Sequence, residues 1–310
     1  MTIQDDNFMV YDDIFSDDYA IPARYSHYTD NIEEIAESFS KEVINSLYKN
    51  SSEGKFILLN SGGLESTLLE NILYHNNVEY ISYTLIPENA ENYNSTVFIA
   101  MQNYNILNND FKLLNINDQK ISDSATYCNT ISYSKELNNT YDLVFWDIIL
   151  QEIGENLPIV SGGFLRDIFN SIPKKFDNHK DFDNKFNDRL RNLLNISEHN
   201  ISKVNSLTSS YGKKVIFPYH NPALIKKINE LNVEVLKDDF HIKLIDELIK
   251  EDNIQLPLYH ESPGKSLEVS NSIERIAEES IKKRFKLKEL DENQKIQRLW
   301  LDRYNSPKWG

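Results

Sequence analysis

Apolar residues in this chain follow two rhythms, and the switches between them mark its elements. Phe56, Ile57, Leu58 and Leu59 form a short unbroken apolar run, the pattern of a strand buried on both faces. Asn60, Ser61, Gly62 and Gly63 interrupt it, and Leu64, Leu68, Leu69, Ile72 and Leu73 then recur at helical spacing. The spacing predicts strand, glycine turn, helix. Upstream, Ile32, Ile35, Phe39, Val43, Ile44 and Leu47 predict a helix running to Lys49, with Asp30 as its N-cap. Downstream, the pattern predicts a strand over 78–87, a helix over 90–104 and a strand over 111–116. A looser region follows, then a helix around 141–153 and a fourth short strand over 157–160. That strand runs straight into Ser161-Gly162-Gly163 and opens into a helix at 167–169. Strands alternating with helices predict an α/β fold, an open parallel sheet with flanking helices. Ligands of such sheets bind beyond the carboxyl ends of the strands, so the two Ser-Gly-Gly turns are expected to face one pocket.

From Pro173 the texture changes. Residues 174–203 are dense in Lys, Asp and Asn, with Phe176, Phe182, Phe186, Leu190 and Leu193 at helical intervals. They predict short amphipathic helices. Gly212, Pro218 and Pro222 bracket the segment KKVIFPYHNP, and helices then continue with breaks at Pro257 and at Ser262-Pro263-Gly264. A long charged helix over 270–304 ends the chain. The expected organisation is an arm over 1–29 that packs Tyr11, Phe15 and Tyr19 on the body, an α/β core over 30–172, and a mainly helical region over 173–310 that completes the site.

Charge and composition narrow the function. The 310 residues carry a formal net charge of −15, which opposes non-specific binding to nucleic acid or acidic membranes. A lone cysteine, Cys128, excludes a disulfide framework, a CxxC pair and a thiolate zinc site. The seven histidines show no metal-ligand spacing. The start, MTIQDDNFMVYDD, lacks the basic and apolar regions of a signal peptide, and the apolar run over 143–150 is broken by Asp147 and too short for a bilayer. A cytoplasmic protein with no membrane partner is expected. The basic run Lys282, Lys283, Arg284, Lys286 and Lys288, interleaved with Phe285 and Leu287, fits a solvated helix face, the alternative being a phosphate-rich ligand or a partner.

The chemistry concentrates in the first glycine turn. A strand–turn–helix aims backbone N–H groups and the positive end of a helix at one point, which suits a phosphate. Ser61 and Ser66 add hydroxyls and Glu65 a carboxylate. The common phosphate loop, G-x-x-x-x-G-K-[ST], is excluded because no lysine follows Gly63, while Gly54-Lys55 precedes the strand and is followed by Phe56. A G-x-G-x-x-G dinucleotide fingerprint is not present either. The string Ser61-Gly62-Gly63-Leu64-Glu65-Ser66 instead resembles the SGGxDS loop of the PP-loop ATP pyrophosphatases, which split ATP into AMP and pyrophosphate, with Glu65 in place of the usual Asp. Together with the second turn, the sequence is similar over about residues 30–270 to the C-terminal synthetase domain of asparagine synthetase, whose family includes β-lactam synthetase and the lasso-peptide cyclases. The family's LSGGLDSS is matched by Asn60 to Thr67. Its S-G-E-G-x-D-E aligns with Ser161 to Asp167, and its R-x-P-F-L-D with Lys214 to Tyr219. Its catalytic lysine is best matched by Lys265 in Ser262-Pro263-Gly264-Lys265.

That resemblance implies an adenine nucleotide alpha hydrolase-like fold and a two-step ligase using ATP and Mg²⁺. A carboxylate attacks the α-phosphorus, pyrophosphate leaves, and an amine or ammonia takes the acyl group. It places Leu59 and Leu85 near adenine. The N–H groups of Gly62 and Gly63, with Ser61 and Ser66, would cradle pyrophosphate, and Ser161, Gly162 and Gly163 would line the nucleotide site. Glu65 and Asp167 would hold Mg²⁺. Lys265 and Arg166 would serve the acyl chemistry, Lys265 neutralising the adenylate and Arg166 meeting an anionic substrate group. The structural alternatives are a solvated lysine after a turn and an arginine capping polar surface. Gly163 and Arg166 stand where the family has acids, so the implied substrate is a small or peptide carboxylate other than aspartate. The glutaminase half of asparagine synthetase has a cysteine directly after the initiator methionine, where this chain has Thr2, so this chain is not expected to make ammonia from glutamine, and a separate amine or ammonia donor protein is one possible partner. Two other readings remain open: a non-catalytic nucleotide- or partner-binding descendant, and a PP-loop enzyme acting on a nucleotide or nucleic-acid base. The second is disfavoured by the solitary Cys128.

Overall fold

The apolar run at residues 56–59 becomes the middle strand of a five-stranded, all-parallel sheet. A computed structural model describes residues 30–51, 54–87, 95–107, 110–131, 140–237, 240–250 and 279. In chain order its elements begin with α1 (Ile32–Asn50), β1 (Lys55–Leu59), α2 (Leu64–His75), β2 (Glu79–Pro87), α3 (Ser95–Leu107) and β3 (Asp110–Ile116). There follow α4 (Asp118–Ile131), α5 (Thr140–Glu152), β4 (Ile159–Ser161), α6 (Leu165–Asn170) and α7 (His179–Ser210). The last are β5 (Val215–Ile216), α8 (Pro222–Asn229), α9 (Val233–Lys237) and α10 (Phe240–Lys250). The expected α/β class is what the chain adopts.

Strand order is β3-β2-β1-β4-β5. The chain builds outward from β1 to β2 and β3, then returns to the other side of β1 for β4 and β5. The reversal makes the gap between β1 and β4 the topological switch point, where the loops leaving two adjacent strands diverge and open a crevice. Ile57 pairs with Ile159, Leu58 with Val160 and Leu59 with Ser161. The two glycine turns therefore leave neighbouring strands at the same level. Phe56, Ile57 and Leu58 are fully buried, as a strand covered on both faces requires.

Two compact units make up the described chain. One takes the described residues of Met1–Leu47, Gly163–Ser197 and Phe217–Asn253, the other those of Tyr48–Gly162, Glu198–Ile216 and Ile254–Gly310. The sheet and both strand ends at the switch point belong to the second. In the first, α1 packs Phe39 against Tyr219 (ring centroids 5.7 Å), and the Asn221 amide donates to the Glu42 carbonyl at 3.1 Å.

Local chemistry moved some boundaries. Asn31, and not Asp30, caps α1: its Oδ1 accepts from the Glu34 N–H at 3.2 Å. The looser region after β3 holds a 14-residue helix, α4, which buries Ile121, Ala125 and Cys128. The short helices expected over 174–203 are one 32-residue helix, α7. Val215 and Ile216 add a fifth strand, paired with Ile159 and Val160. The segments 1–29 and 270–304, apart from Glu279, lie outside the described residues, as do the turns at Pro257 and at 262–265. Among the described residues no helix is long and apolar enough to cross a membrane.

Candidate functional site

The first turn is built from its own side chains. Gly62 has φ 72°, a left-handed conformation that glycine adopts without penalty and that lets the chain fold back between β1 and α2. Gly63 is the N-cap of α2 and brings no side-chain cap to the helix. Ser66 Oγ donates to the Gly63 carbonyl at 3.1 Å and accepts the Ser61 N–H at 3.2 Å. The Gly63 N–H donates to Ser61 Oγ at 3.3 Å, and the two serine hydroxyls lie 3.2 Å apart. Loop N–H groups thus converge on serine oxygens at the mouth of the turn, where Ser61 is exposed.

Beneath the turn lies a second, buried layer. Asn60 Oδ1 accepts the Gly62 N–H at 2.8 Å and Asn60 Nδ2 donates to Glu70 Oε2 at 2.6 Å. Ser82 Oγ donates to Glu70 Oε1 at 3.3 Å, Thr84 Oγ1 donates to the Asn60 carbonyl at 2.5 Å, and the Asn60 N–H donates to the Tyr83 carbonyl at 2.9 Å. Asn60, Glu70, Ser82 and Thr84 are each no more than 1 % exposed. The sequence pattern marks Asn60 as a strand breaker and the first residue of the matched loop, with no role of its own, and does not single out Glu70. Its signal is a lone carboxylate inside the apolar stretch Leu68, Leu69, Ile72, Leu73, a position where a charge is costly unless it has partners.

The second turn presses on the first. A Cβ at Gly162 would lie 2.8 Å from the Glu65 carbonyl oxygen, 2.9 Å from its carbon and 3.0 Å from the Ser66 nitrogen. Only a glycine lets these backbones approach so closely. Ser61, Gly62, Gly63, Glu65, Ser66, Ser161 and Gly162 therefore surround the switch point within one unit. Leu59 ends β1 with 8 % exposure, and Leu85, half-buried on β2, lies two residues beyond the Leu59 partner Tyr83. Gly163, Arg166 and Asp167 belong to the other unit, the last two in the first turn of α6. Burial raises the Asp167 carboxyl above the usual carboxylate range, and the Arg166 charge beside it pulls the other way. Lys265 lies outside the described residues.

Magnesium bound with a polyphosphate needs only one or two protein carboxylates. Glu65, in the first turn of α2, can supply one, so the residues fit a nucleotide-borne ion. Among the described residues no cluster of three or more His, Cys, Asp or Glu could hold a metal by itself.

In the first unit, Phe164 caps α6 with φ 79° and ψ −15°, a left-handed conformation unusual for a bulky side chain. Its ring meets Phe217 (5.2 Å, edge-on) and His220 (5.4 Å). Burial pulls the His220 pKa down to about 4, against a hydrogen bond with its own backbone, so the imidazole is neutral in the folded protein at pH 7. The unfolded chain, with an ordinary histidine pKa near 6.5, binds a proton that the folded chain refuses between those values. Stability is therefore fully present above about pH 6.5 and falls by about 3 kcal/mol toward pH 4. A His220→Phe protein is expected to lose that part of the slope, as read from urea midpoints at pH 7 and 4.5.

The sequence matches no protein-family model and no curated relative. Among solved structures, the chain is similar to the U34-tRNA thiolase NcsA from Methanococcus maripaludis with its [4Fe-4S] cluster. The identity is 14%, covering 83% of this chain and 81% of that one, with a TM-score of 0.38. It is also similar to the NMN synthetase from Francisella tularensis, at 13% identity over 74% of this chain and 100% of that one, with a TM-score of 0.33.

Proposed function

We propose that the turn at 61–66 binds the polyphosphate of ATP, and that the protein is a ligase forming AMP and pyrophosphate. It would activate a carboxylate other than aspartate and pass it to an amine or to ammonia. The observation that carries this reading is the position of Ser61-Gly62-Gly63-Leu64-Glu65-Ser66. The string sits at the switch point of a parallel sheet, at the N-terminus of a helix, with Gly162 of the second turn packed on its Glu65 and Ser66 backbone.

In this reading the protein acts mainly by holding and neutralising. Ser61 and Ser66 exchange their mutual contact for phosphate oxygens, and the N-terminus of α2 faces the leaving pyrophosphate. Glu65 would hold Mg²⁺, which when bound would offset charge on the polyphosphate. Arg166 meets an anionic group of the acyl substrate, and Lys265 the charge of the adenylate. Base thiolation is the less favoured reading. Cys128 is buried, and both desolvation and the nearby Asp147 push its thiol far above the range in which a thiolate forms.

Incubation with ATP, Mg²⁺ and a panel of small and peptide carboxylates, with and without amines, is expected to release pyrophosphate for one acid class. ATP binding with no release for any acid would favour a non-catalytic nucleotide-binding protein. Lack of ATP binding would end both readings.

A further inference from the structure

The two hydrogen-bond layers of the turn differ in what they can give to a ligand. Gly62 is buried, and its N–H goes to Asn60 Oδ1 through a buried bond of 2.8 Å. Asn60 cannot swing away, because its other amide atom, its N–H and its carbonyl are all engaged, by Glu70, Tyr83 and Thr84. The Gly63 N–H makes a longer, exposed bond of 3.3 Å to Ser61 Oγ, and the Ser61 N–H a 3.2 Å bond to Ser66 Oγ. Both acceptors are hydroxyls on rotatable side chains, and an anion oxygen can replace them at little cost.

We infer that the turn divides its donors: the Gly62 N–H is locked inward by a Glu70–Asn60 clamp, while the N–H groups of Ser61 and Gly63 and the two hydroxyls are the ones that turn to phosphate. Glu70 is a positioning residue. It touches no ligand and acts through Asn60, holding Gly62 in the left-handed bend that presents its neighbours outward. The carboxylate suits this task, since one oxygen takes the Asn60 amide and the other takes Ser82. A glutamine keeps both bonds: its oxygen can accept from Asn60 and its amide can donate to Ser82 Oγ. An alanine leaves the buried Asn60 amide without its acceptor.

This inference rests on the ATP reading, and the test separates the two. Affinities for ATP, inorganic pyrophosphate and AMP are measured by calorimetry with Mg²⁺ for the wild type, Glu70→Ala, Glu70→Gln and Asn60→Ala, alongside thermal unfolding. Expected for Glu70→Ala and Asn60→Ala is a roughly tenfold loss of ATP and pyrophosphate affinity with AMP affinity little changed, and near-complete recovery in Glu70→Gln. A merely structural role would lower the melting temperature and leave the ratio of pyrophosphate to AMP affinity where it was. As a second readout, amide exchange of the wild type should show Gly62 protected with and without pyrophosphate, and Ser61 and Gly63 becoming protected only with it. Wild-type binding of ATP and pyrophosphate, with an unchanged affinity ratio in Glu70→Ala or with Gly62 changing on ligand addition, overturns the clamp alone. A wild type that binds neither overturns the ATP reading and the clamp with it.

Discussion

A Gly62→Asp protein is expected to fold and to bind ATP at least 100-fold more weakly than the wild type. Position 62 has φ 72°, where aspartate and asparagine are the side chains that strain the backbone least, so the bend survives at a cost of about 1 kcal/mol. What the aspartate adds is a negative charge at the mouth of the proposed polyphosphate site. Like charges brought together in a partly dry site cost several kcal/mol, and each 1.4 kcal/mol is a factor of ten in affinity. Gly62→Asn separates the two effects. It has the same shape and the same backbone strain without the charge, and should lose about tenfold or less. Titration with a fluorescent ATP analogue, at low and at high salt, checks both proteins. If both variants lose affinity equally, the loss is conformational and the turn is not reading charge.

Gly162→Ala should destabilise the protein by about 2 kcal/mol and weaken ATP binding at the same time. The added carbon meets the Glu65 carbonyl group and the Ser66 nitrogen at 2.8–3.0 Å, closer than real carbons come. These are backbone atoms in the first turn of a helix whose residues 66–73 are all buried, so no side chain can swing aside. Overpacking of this kind typically costs 1–3 kcal/mol. Relief requires α2 to move away from β4, which displaces Ser66 from the mouth of the turn. Two other glycines calibrate the result. At Gly63 the nearest atom is Ser61 Oγ at 3.2 Å, the end of a rotatable side chain, so Gly63→Ala should cost less. At Gly154 nothing lies within 4 Å, and Gly154→Ala should be close to neutral. Urea unfolding midpoints for the three variants give the order directly.

The parts of the fold that could be read from the sequence are those where burial imposes a pattern. The β1 run and the helical spacing after Gly63 place strand, turn and helix within a residue of their positions, because both elements are buried at the centre of the sheet. The helix α4 was missed because the apolar residues it is seen to bury, Ile121, Ala125 and Cys128, include two small ones and stand among Asp, Gln, Lys, Ser, Asn and Thr. β5 is two residues long, too short for any period to show. The Asn60–Glu70 bond was out of reach for a different reason. It joins residues ten apart that meet only because the chain reverses between strand and helix, and Ser82 and Thr84 join them from another strand. The site's two turns were each visible in the sequence. That they touch at Gly162 depends on which strands are neighbours, and strand order is a property of the whole sheet.

Strand order also sets a timetable for making the protein. β1 gains β2 on one side soon after both are synthesised, but its other neighbour, β4, comes roughly a hundred residues later, after β2, β3 and the helices α2 to α5. Pairings of such sequence separation form slowly, and a chain emerging from the ribosome presents its early segments first. Until Ile159–Ser161 arrives, the apolar β1 has an open flank and the turn at 61–66 lacks the surface that Gly162 supplies. A nascent chain halted near residue 150 should therefore hold the string SGGLES without its binding geometry. In the proposed ATP reading, nucleotide added during synthesis would engage the chain only once the fourth strand is in place.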